Sequence, residues 1–348
     1  MLDLTDLAVP IIGAPMAGGP TTPALAAAVT DAGGLGFLAA GYLTAARFAD
    51  DIAAARSLTT GPLGVNLFVP QPCAAGPEEV DAYRRALEPL AQRLGVEPGQ
   101  PRPDDDAWQA KLEVVVDTVP DSVSFTFGCP TAQMLARFTA LGVLTMVTVT
   151  SREEADYAVS AGAGALIVQG PEAGGHRSVF DPGQRPGDLR LLELLAQTVG
   201  AGIPVVAAGG IGDAAAVTQV LQAGAVAAQV GTALLLSDEA GTNPVYRKAL
   251  VDPAFTDTVV TACFTGRYAR SLANDFSARY DALAPLGYPQ VHQITAPIRA
   301  ASLAAGDPNG TSLWAGTAWR GTTAGPAAHI VTTLAGGTTQ VSRPAGSV

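Results

Sequence analysis

Eight times in the first 230 residues a short apolar run of strand length recurs, with Ala- or Leu-rich stretches of helical length between the runs. No other feature constrains the fold of this chain as much. Strands fall at about 10–14, 35–40, 63–69, 122–127, 143–149, 164–169, 204–208 and 226–230. Helices lie between them near 23–32, 44–56, 77–94, 131–140, 151–161, 187–199 and 213–223. Strands joined through helical crossovers run parallel. Eight such units favour a closed TIM (β/α)8 barrel over an open doubly wound sheet, so the predicted class is α/β.

Several helix boundaries carry their own chemistry. Thr150-Ser151-Arg152-Glu153-Glu154 supplies a capping hydroxyl followed by acids in the first turn, and Asp213 opens AAAVTQVLQAG as an N-cap. Both helices close at a glycine, Gly162 and Gly224, as left-handed C-caps before the next strand. The Pro- and acid-rich stretch 95–120 reads as a surface excursion, and 170–187 as a second one. Beyond residue 232 the rhythm changes, with helical segments at 242–251 and 269–283 and a last helix near 324–335. The expected organisation is a barrel over 1–236, rejoined by the C-terminal segment 312–348, with a smaller, mainly helical cap or substrate domain over 237–311.

Charge narrows the partners. The net charge is −11 and only two lysines, Lys111 and Lys248, are present, which argues against nucleic acid or an anionic membrane as a partner. An anionic cofactor would be held by backbone N–H groups, helix N-termini and scattered arginines. Cys73, Cys129 and Cys263 show neither a CxxC nor a Cys/His ligand spacing, so no disulfide framework and no metal site is expected. The N-terminus lacks a basic region, and no uninterrupted apolar run reaches membrane-spanning length. A cytoplasmic protein is expected.

Functional groups in a parallel barrel gather at the C-terminal ends of the strands. Strand seven ends in Gly209 and Gly210, and strand eight in Gln229, Val230, Gly231 and Thr232. The loops after these two strands are a recurrent phosphate site of the barrel. A Gly-Gly pair alone would read as a tight turn, and it is the conjunction with AQVGT that points to an anion site. Met16, Asn66, Thr126 and Gln169 follow or end other strands. Amide side chains such as Asn66 and Gln169 suit the donor and acceptor edges of an isoalloxazine ring, whereas Met16 fits ordinary core packing equally well. After strand six comes QGPEAGGHR (169–177), which sets His176 just past a glycine pair at the same rim. A loop histidine is often a bystander, but this position makes His176 the candidate catalytic group.

The segments PIIGAPMAGGP (10–20), AGGLGFLAAGY (32–42), GVNLF (64–68), SFTFGCP (124–130), QGPEAGGHR (169–177), AAGGI (207–211) and QVGTALL (229–235) together resemble the nitronate monooxygenase family, formerly 2-nitropropane dioxygenases. The likeness spans about residues 8–275 in the right order. It implies an FMN-containing TIM barrel that oxidises alkyl nitronates with O2 to a carbonyl compound and nitrite, detoxifying compounds such as propionate 3-nitronate. Small nitronates or nitroalkanes and O2 would be its partners, and an oligomer is compatible with it. By the same resemblance, FMN contacts fall on Asn66, Gln169, Gly174, Gly210 and the run Gln229, Val230, Gly231 and Thr232, and His176 is the catalytic histidine. Its role stays open between a base taking the α-proton of a nitroalkane and a donor holding the nitronate oxygens.

Departures from the family pattern lie on the substrate side. Thr126 stands where a histidine is frequent. A Tyr-rich segment followed by a lysine appears here as Tyr288-Pro289-Gln290-Val291-His292, with Ala296 downstream. Thr126, Tyr288 and His292 are the candidate substrate contacts, while Trp314 and Trp319 could wall a pocket but read first as core or cap packing. Two rival functions remain at this point. One is a flavin-dependent enoyl-thioester reductase using NAD(P)H, which shares an EAGGH-like segment. The other is a flavin-binding protein without turnover.

Overall fold

The computed structural model describes residues 1–336. The chain begins with β1 (Ile11–Gly13), α1 (Pro23–Asp31), β2 (Gly36–Ala39), α2 (Ala45–Leu58) and β3 (Leu63–Phe68). Two helices follow before the next strand, α3 (Pro77–Arg93) and α4 (Trp108–Thr118). The alternation then resumes with β4 (Ser122–Thr126), α5 (Ala132–Ala140), β5 (Leu144–Val149), α6 (Arg152–Ser160), β6 (Ala165–Gln169) and the two-residue β7 (Gly175–His176). Next come α7 (Leu191–Thr198), β8 (Val205–Ala208), α8 (Ala214–Gln222) and β9 (Ala227–Val230). The rest is α9 (Pro244–Val251), β10 (Thr258–Thr261), β11 (Ala269–Leu272), α10 (Asp275–Tyr280), α11 (Gln290–Ala304) and α12 (Ala327–Ala335).

Eight parallel strands run in the order β1-β9-β8-β6-β5-β4-β3-β2. The ring closes where Ile12 bridges Leu35, with Gly13 N–H donating to the Leu35 carbonyl at 2.9 Å and Leu35 N–H to the Ile11 carbonyl at 3.0 Å. The eight expected strands match this barrel to within a few residues, as do six of the seven expected helices, while the one near 77–94 forms as α3 but packs outside the barrel. Their caps form as the sequence suggests. Ser151 Oγ accepts from Glu154 N–H and Asp213 Oδ1 from Ala216 N–H, while Gly162 and Gly224 take φ of 94° and 101°.

Alternation along the strands sorts side chains into two cores. Ile12, Phe37, Met146, Ile167 and Val206 fill the barrel interior above an N-terminal plug that includes Leu4. Gly64 leaves room for the Phe37 ring, which a Cβ there would meet at 2.5 Å. Ile11, Leu38, Val65, Val147, Leu166, Val168 and Val205 instead pack outward under the helices.

Three segments differ from expectation. The stretch 95–120 is not wholly an excursion, since 108–118 forms α4, which packs on α2 and β3 as the barrel helix. α3 instead packs on α11. Its Val80, Tyr83 and Leu87 share an apolar cluster with Phe264, Phe276, Val291, Ile294 and Ile298. The helix expected over 269–283 begins as a strand, because Ala269–Leu272 pairs antiparallel with β10. The excursion 170–187 carries β7, whose Gly175 and His176 pair with Arg270 and Ala269 of β11. A three-stranded antiparallel sheet thus joins the loop after β6 to the later chain. The last helix packs on α1 and α8, and residues 337–348 of the expected returning segment lie outside the described residues.

Candidate active site

Above the apolar barrel interior lies a polar layer. Asn66 Nδ2 donates to the Ser124 carbonyl (3.2 Å), Ser124 Oγ (2.9 Å) and Thr126 Oγ1 (3.0 Å), which ties the ends of β3 and β4 together. Strand register sets Gln169, Ala208 and Gln229 side by side. A cavity opens over this layer. Met16, Asn66, Thr126, Gln169, Gly174, His176, Gly209, Gly210, Gln229, Val230, Gly231 and Thr232 all line it. Met16 also packs against the core beside it.

Gln169 has a different task from the one its amide first suggests. Its Nε2 donates to the His176 carbonyl (3.0 Å) and its Oε1 accepts from Ser178 N–H (2.9 Å), so the side chain clamps the β7 segment. The free amide oxygen belongs instead to Gln229. Its Oε1 is buried at the cavity without a hydrogen-bond partner among the described residues.

Glycines close the opposite end. Gly209 and Gly210 take φ of 116° and 69°, a region that side chains other than glycine's occupy only with strain. A Cβ at Gly210 would meet Glu172 Cβ at 2.8 Å, and one at Gly174 would meet Gly316 N at 2.5 Å. The loop after β6 and the segment 314–318 therefore press backbone to backbone over the end of β8. Thr232 Oγ1 accepts from Gly316 N–H at 3.0 Å and holds that segment from below. The N–H groups of Gly210, Gly231 and Thr232 meet no acceptor among the described residues, leaving a set of backbone donors at the cavity wall.

His176 is half-buried. Its Nε2 lies 2.9 Å from Thr265 Oγ1, and its ring is flanked by Phe127 and Trp314, each 5.4 Å away between centroids. Burial, followed by the positive charges of Arg267 and Arg299, pushes its pKa down to about 3, so the imidazole is neutral at ordinary pH. Arg267 is itself buried, 4.1 Å over the Phe127 ring, and its Nε and Nη1 have no partner among the described residues.

Tyr288 and His292 do not line this cavity. They stand in the wall of a second chamber that shares Tyr42 and Phe68 with the first. The His292 ring stacks on Tyr42, and its Nδ1 lies 3.0 Å from Arg299 Nη2. Burial and the same arginine hold it neutral, with a pKa of about 3. Of the two tryptophans read as packing, Trp319 is buried in an apolar cluster, whereas Trp314 lines the cavity. Sequence reasoning also passed over Tyr42, Ser124, Tyr246 and Gly316, which line it too. Tyr42 had a usable signal, an aromatic just past the end of β2 and directly after Gly41. Gly316 and Trp314 arrive from far along the chain with no local signature.

The family model described as nitronate monooxygenase matches residues 2–337. The chain belongs to the nitronate monooxygenase family. It is 39% identical over 337 residues to a nitronate monooxygenase of Pseudomonas aeruginosa, covering 93% of this chain and 95% of that one. A nitronate monooxygenase of Paraburkholderia phytofirmans is 38% identical, with 96% and 93% covered. Among solved structures, nitroalkane oxidase from Streptomyces ansochromogenes superposes with a TM-score of 0.91 at 46% identity, covering 96% of each chain. FabK from Thermotoga maritima gives 0.74 at 25%, covering 95% of this chain and 93% of that one.

Nitronate monooxygenases are flavin-dependent as a family, and the cavity fits such a group on three counts. Backbone donors free of protein acceptors suit a phosphate, the orphaned Gln229 Oε1 suits an N–H on the edge of a ring, and the thioether of Met16 offers an apolar surface. No described helix is long and apolar enough to cross a membrane, and the described residues hold no His/Cys/Asp/Glu cluster suited to a metal.

Proposed function

We propose that this chain is an FMN-dependent nitronate monooxygenase that uses O2 to convert alkyl nitronates into a carbonyl compound and nitrite. The observation that carries the reading is a neutral imidazole, His176, on the wall of a barrel-mouth cavity and inside the field of two arginines, the buried Arg267 and the half-buried Arg299. Burial is the larger cause of that neutrality, and the positive charges of Arg267 and Arg299, the second cause, favour an anion at the same place. The nitronate is therefore the form that this site binds best, and His176 is suited to hydrogen-bond its oxygens. As a base of low pKa, His176 would remove a carbon-bound proton from a neutral nitroalkane only slowly.

The remaining roles follow from position. The N–H groups of Gly210, Gly231 and Thr232 would hold the FMN phosphate, Gln229 would accept from the ring edge, and Met16, Asn66 and Gly174 would lie along it. Gln169 would fix His176 through the β7 backbone. Bound FMN would supply the single-electron chemistry through which a closed-shell anion can react with O2. Trp314 and Phe127 would shield the reacting carbon from water. Residues 237–311 would act with α3 as a cap over the barrel mouth. A cytoplasmic location accords with the reading, and self-association is compatible with it.

The test is anaerobic mixing of the purified yellow protein with ethylnitronate in one cell and NADH or NADPH in another. Bleaching of the visible band by nitronate alone, with nitrite release once air enters, is the expected result. Bleaching by the nicotinamide alone would transfer the assignment to an enoyl-thioester reductase. Inertness to both would leave a flavin-binding protein without this turnover.

A further inference from the structure

The cavity with His176 and the second chamber are separated by aromatic rings. Tyr42 and Phe68 line both spaces, Tyr288 and His292 only the outer one. The Tyr42 ring stacks face to face on His292, with centroids 4.3 Å apart and planes within 6°, and meets Phe68 edge-on at 5.7 Å. Both neighbours are held from behind. Tyr42 has a φ of 69°, and its N–H donates to Asp106 Oδ1 at 2.9 Å, while Asp106 is paired at 2.7 Å with the buried Lys111. His292 is held through Arg299, which also donates to Thr295 Oγ1 at 3.1 Å. The stack is thus a fixed wall between two spaces.

Beyond it, the chamber has an apolar inner surface that includes Leu43, Val69, Pro289 and Ala296, and a mouth bearing Arg102, Asp104 and Asp105. Arg102 is turned to Asp104 at 3.8 Å, which leaves the mouth acidic. An uncharged alkyl chain suits such a space, while a carboxylate tail would meet like charge.

We propose that the Tyr42–His292 stack sets the length of alkyl chain the enzyme accepts, closing the inner cavity to all but short nitronates and cutting off an outer chamber that a longer uncharged chain would otherwise fill. The inference rests on the nitronate reading above. Tyr42 and His292 are specificity-determining residues in it, with Asp106 and Arg299 as positioning residues behind them.

Two readouts test it on the intact flavoprotein. One is the ratio of kcat/KM for hexyl-1-nitronate over ethylnitronate, and the other is the ratio of Kd for 1-nitrohexane and nitroethane measured by calorimetry. Tyr42→Ala is expected to raise the preference for the six-carbon compound about tenfold or more in both. Adding Ala296→Phe, which refills the outer chamber, is expected to return it to the parental value. His292→Ala removes the other half of the stack and should move the preference the same way, so the test survives if Tyr42→Ala does not fold. An unchanged preference in the folded variants would overturn the proposal, as would a raised preference that persists with Ala296→Phe. A parent inert to every nitronate whose variants still shift the calorimetric ratio would uphold the partition and sink only the nitronate reading.

Discussion

His176 shows how a single residue's environment decides between two chemical roles. Its sequence position allowed a base or an oxygen-binding donor, and the choice depends first on burial and then on Arg267 and Arg299, which lie some 90 and 120 positions away. Because the imidazole is neutral down to about pH 3, no limb near 6.5 should appear in the pH profile of kcat/KM for a preformed nitronate between pH 5 and 8. A His176-dependent limb in that range would contradict this assignment. Substituting His176→Asn removes whatever slow base function exists and leaves an amide able to hydrogen-bond. Turnover of neutral nitroethane is therefore expected to fall more than that of ethylnitronate, with FMN still bound. Equal activity of variant and parent on both substrates would remove His176 from the proton transfer.

Elements were legible where local signals and packing agreed. β8 and β9 could be read from short, mostly apolar runs leading into Gly209-Gly210 and Gly231-Thr232, because the barrel demands buried strands with turns at their rims. α4 was missed because its start carries none of the usual marks. Ala107 stands at its N-cap with φ of 53° and no side-chain capping bond, Pro98, Pro101 and Pro103 precede it, and Val114-Val115-Val116 is β-branched. Tertiary packing on α2 supplies what propensity does not.

β7 was equally hidden, since two residues hold no periodicity and its pairing partner, β11, lies more than 90 residues on. This element-level packing alters the reason for a glycine. Gly210 sits at positive φ directly against Glu172, so Gly210→Val should strain the backbone by about 1–3 kcal/mol and displace the β6 loop as well as crowd the phosphate donors. A lower Tm together with reduced FMN content per chain is the expected result. Full FMN occupancy at unchanged Tm would place the anion site elsewhere.

At the scale of the whole molecule, the half-buried neutral histidines link the cap to acid stability. His176 and His292 both have pKa values depressed to about 3, against an ordinary value near 6.5 in the unfolded chain. Between those values the unfolded state binds protons that the folded state refuses. Their contribution is therefore intact above pH 6.5 and is lost as the pH falls toward 3, by at most about 1.4 kcal/mol per pH unit for each. Tm should fall between pH 6.5 and 4.5, and the fall should be shallower in a His176→Asn/His292→Asn double variant. Parallel Tm curves for variant and parent would mean that other groups set the acid limit.

The sequence by itself determined the barrel, its eight strands and the rim positions of twelve of the fourteen candidate site residues. Period, caps and rim glycines are local properties, and a parallel barrel maps strand ends onto one face. Only the tertiary structure decided which groups face one another across that mouth. It set Tyr288 and His292 behind Tyr42, gave Gln169 to the β7 backbone and left the Gln229 oxygen free. It also brought Trp314 and Gly316 in from the far end of the chain and placed two arginines around His176. Charges, rings and amide partners act through space at distances of a few ångströms, and separations of tens to hundreds of residues leave no imprint on any local pattern.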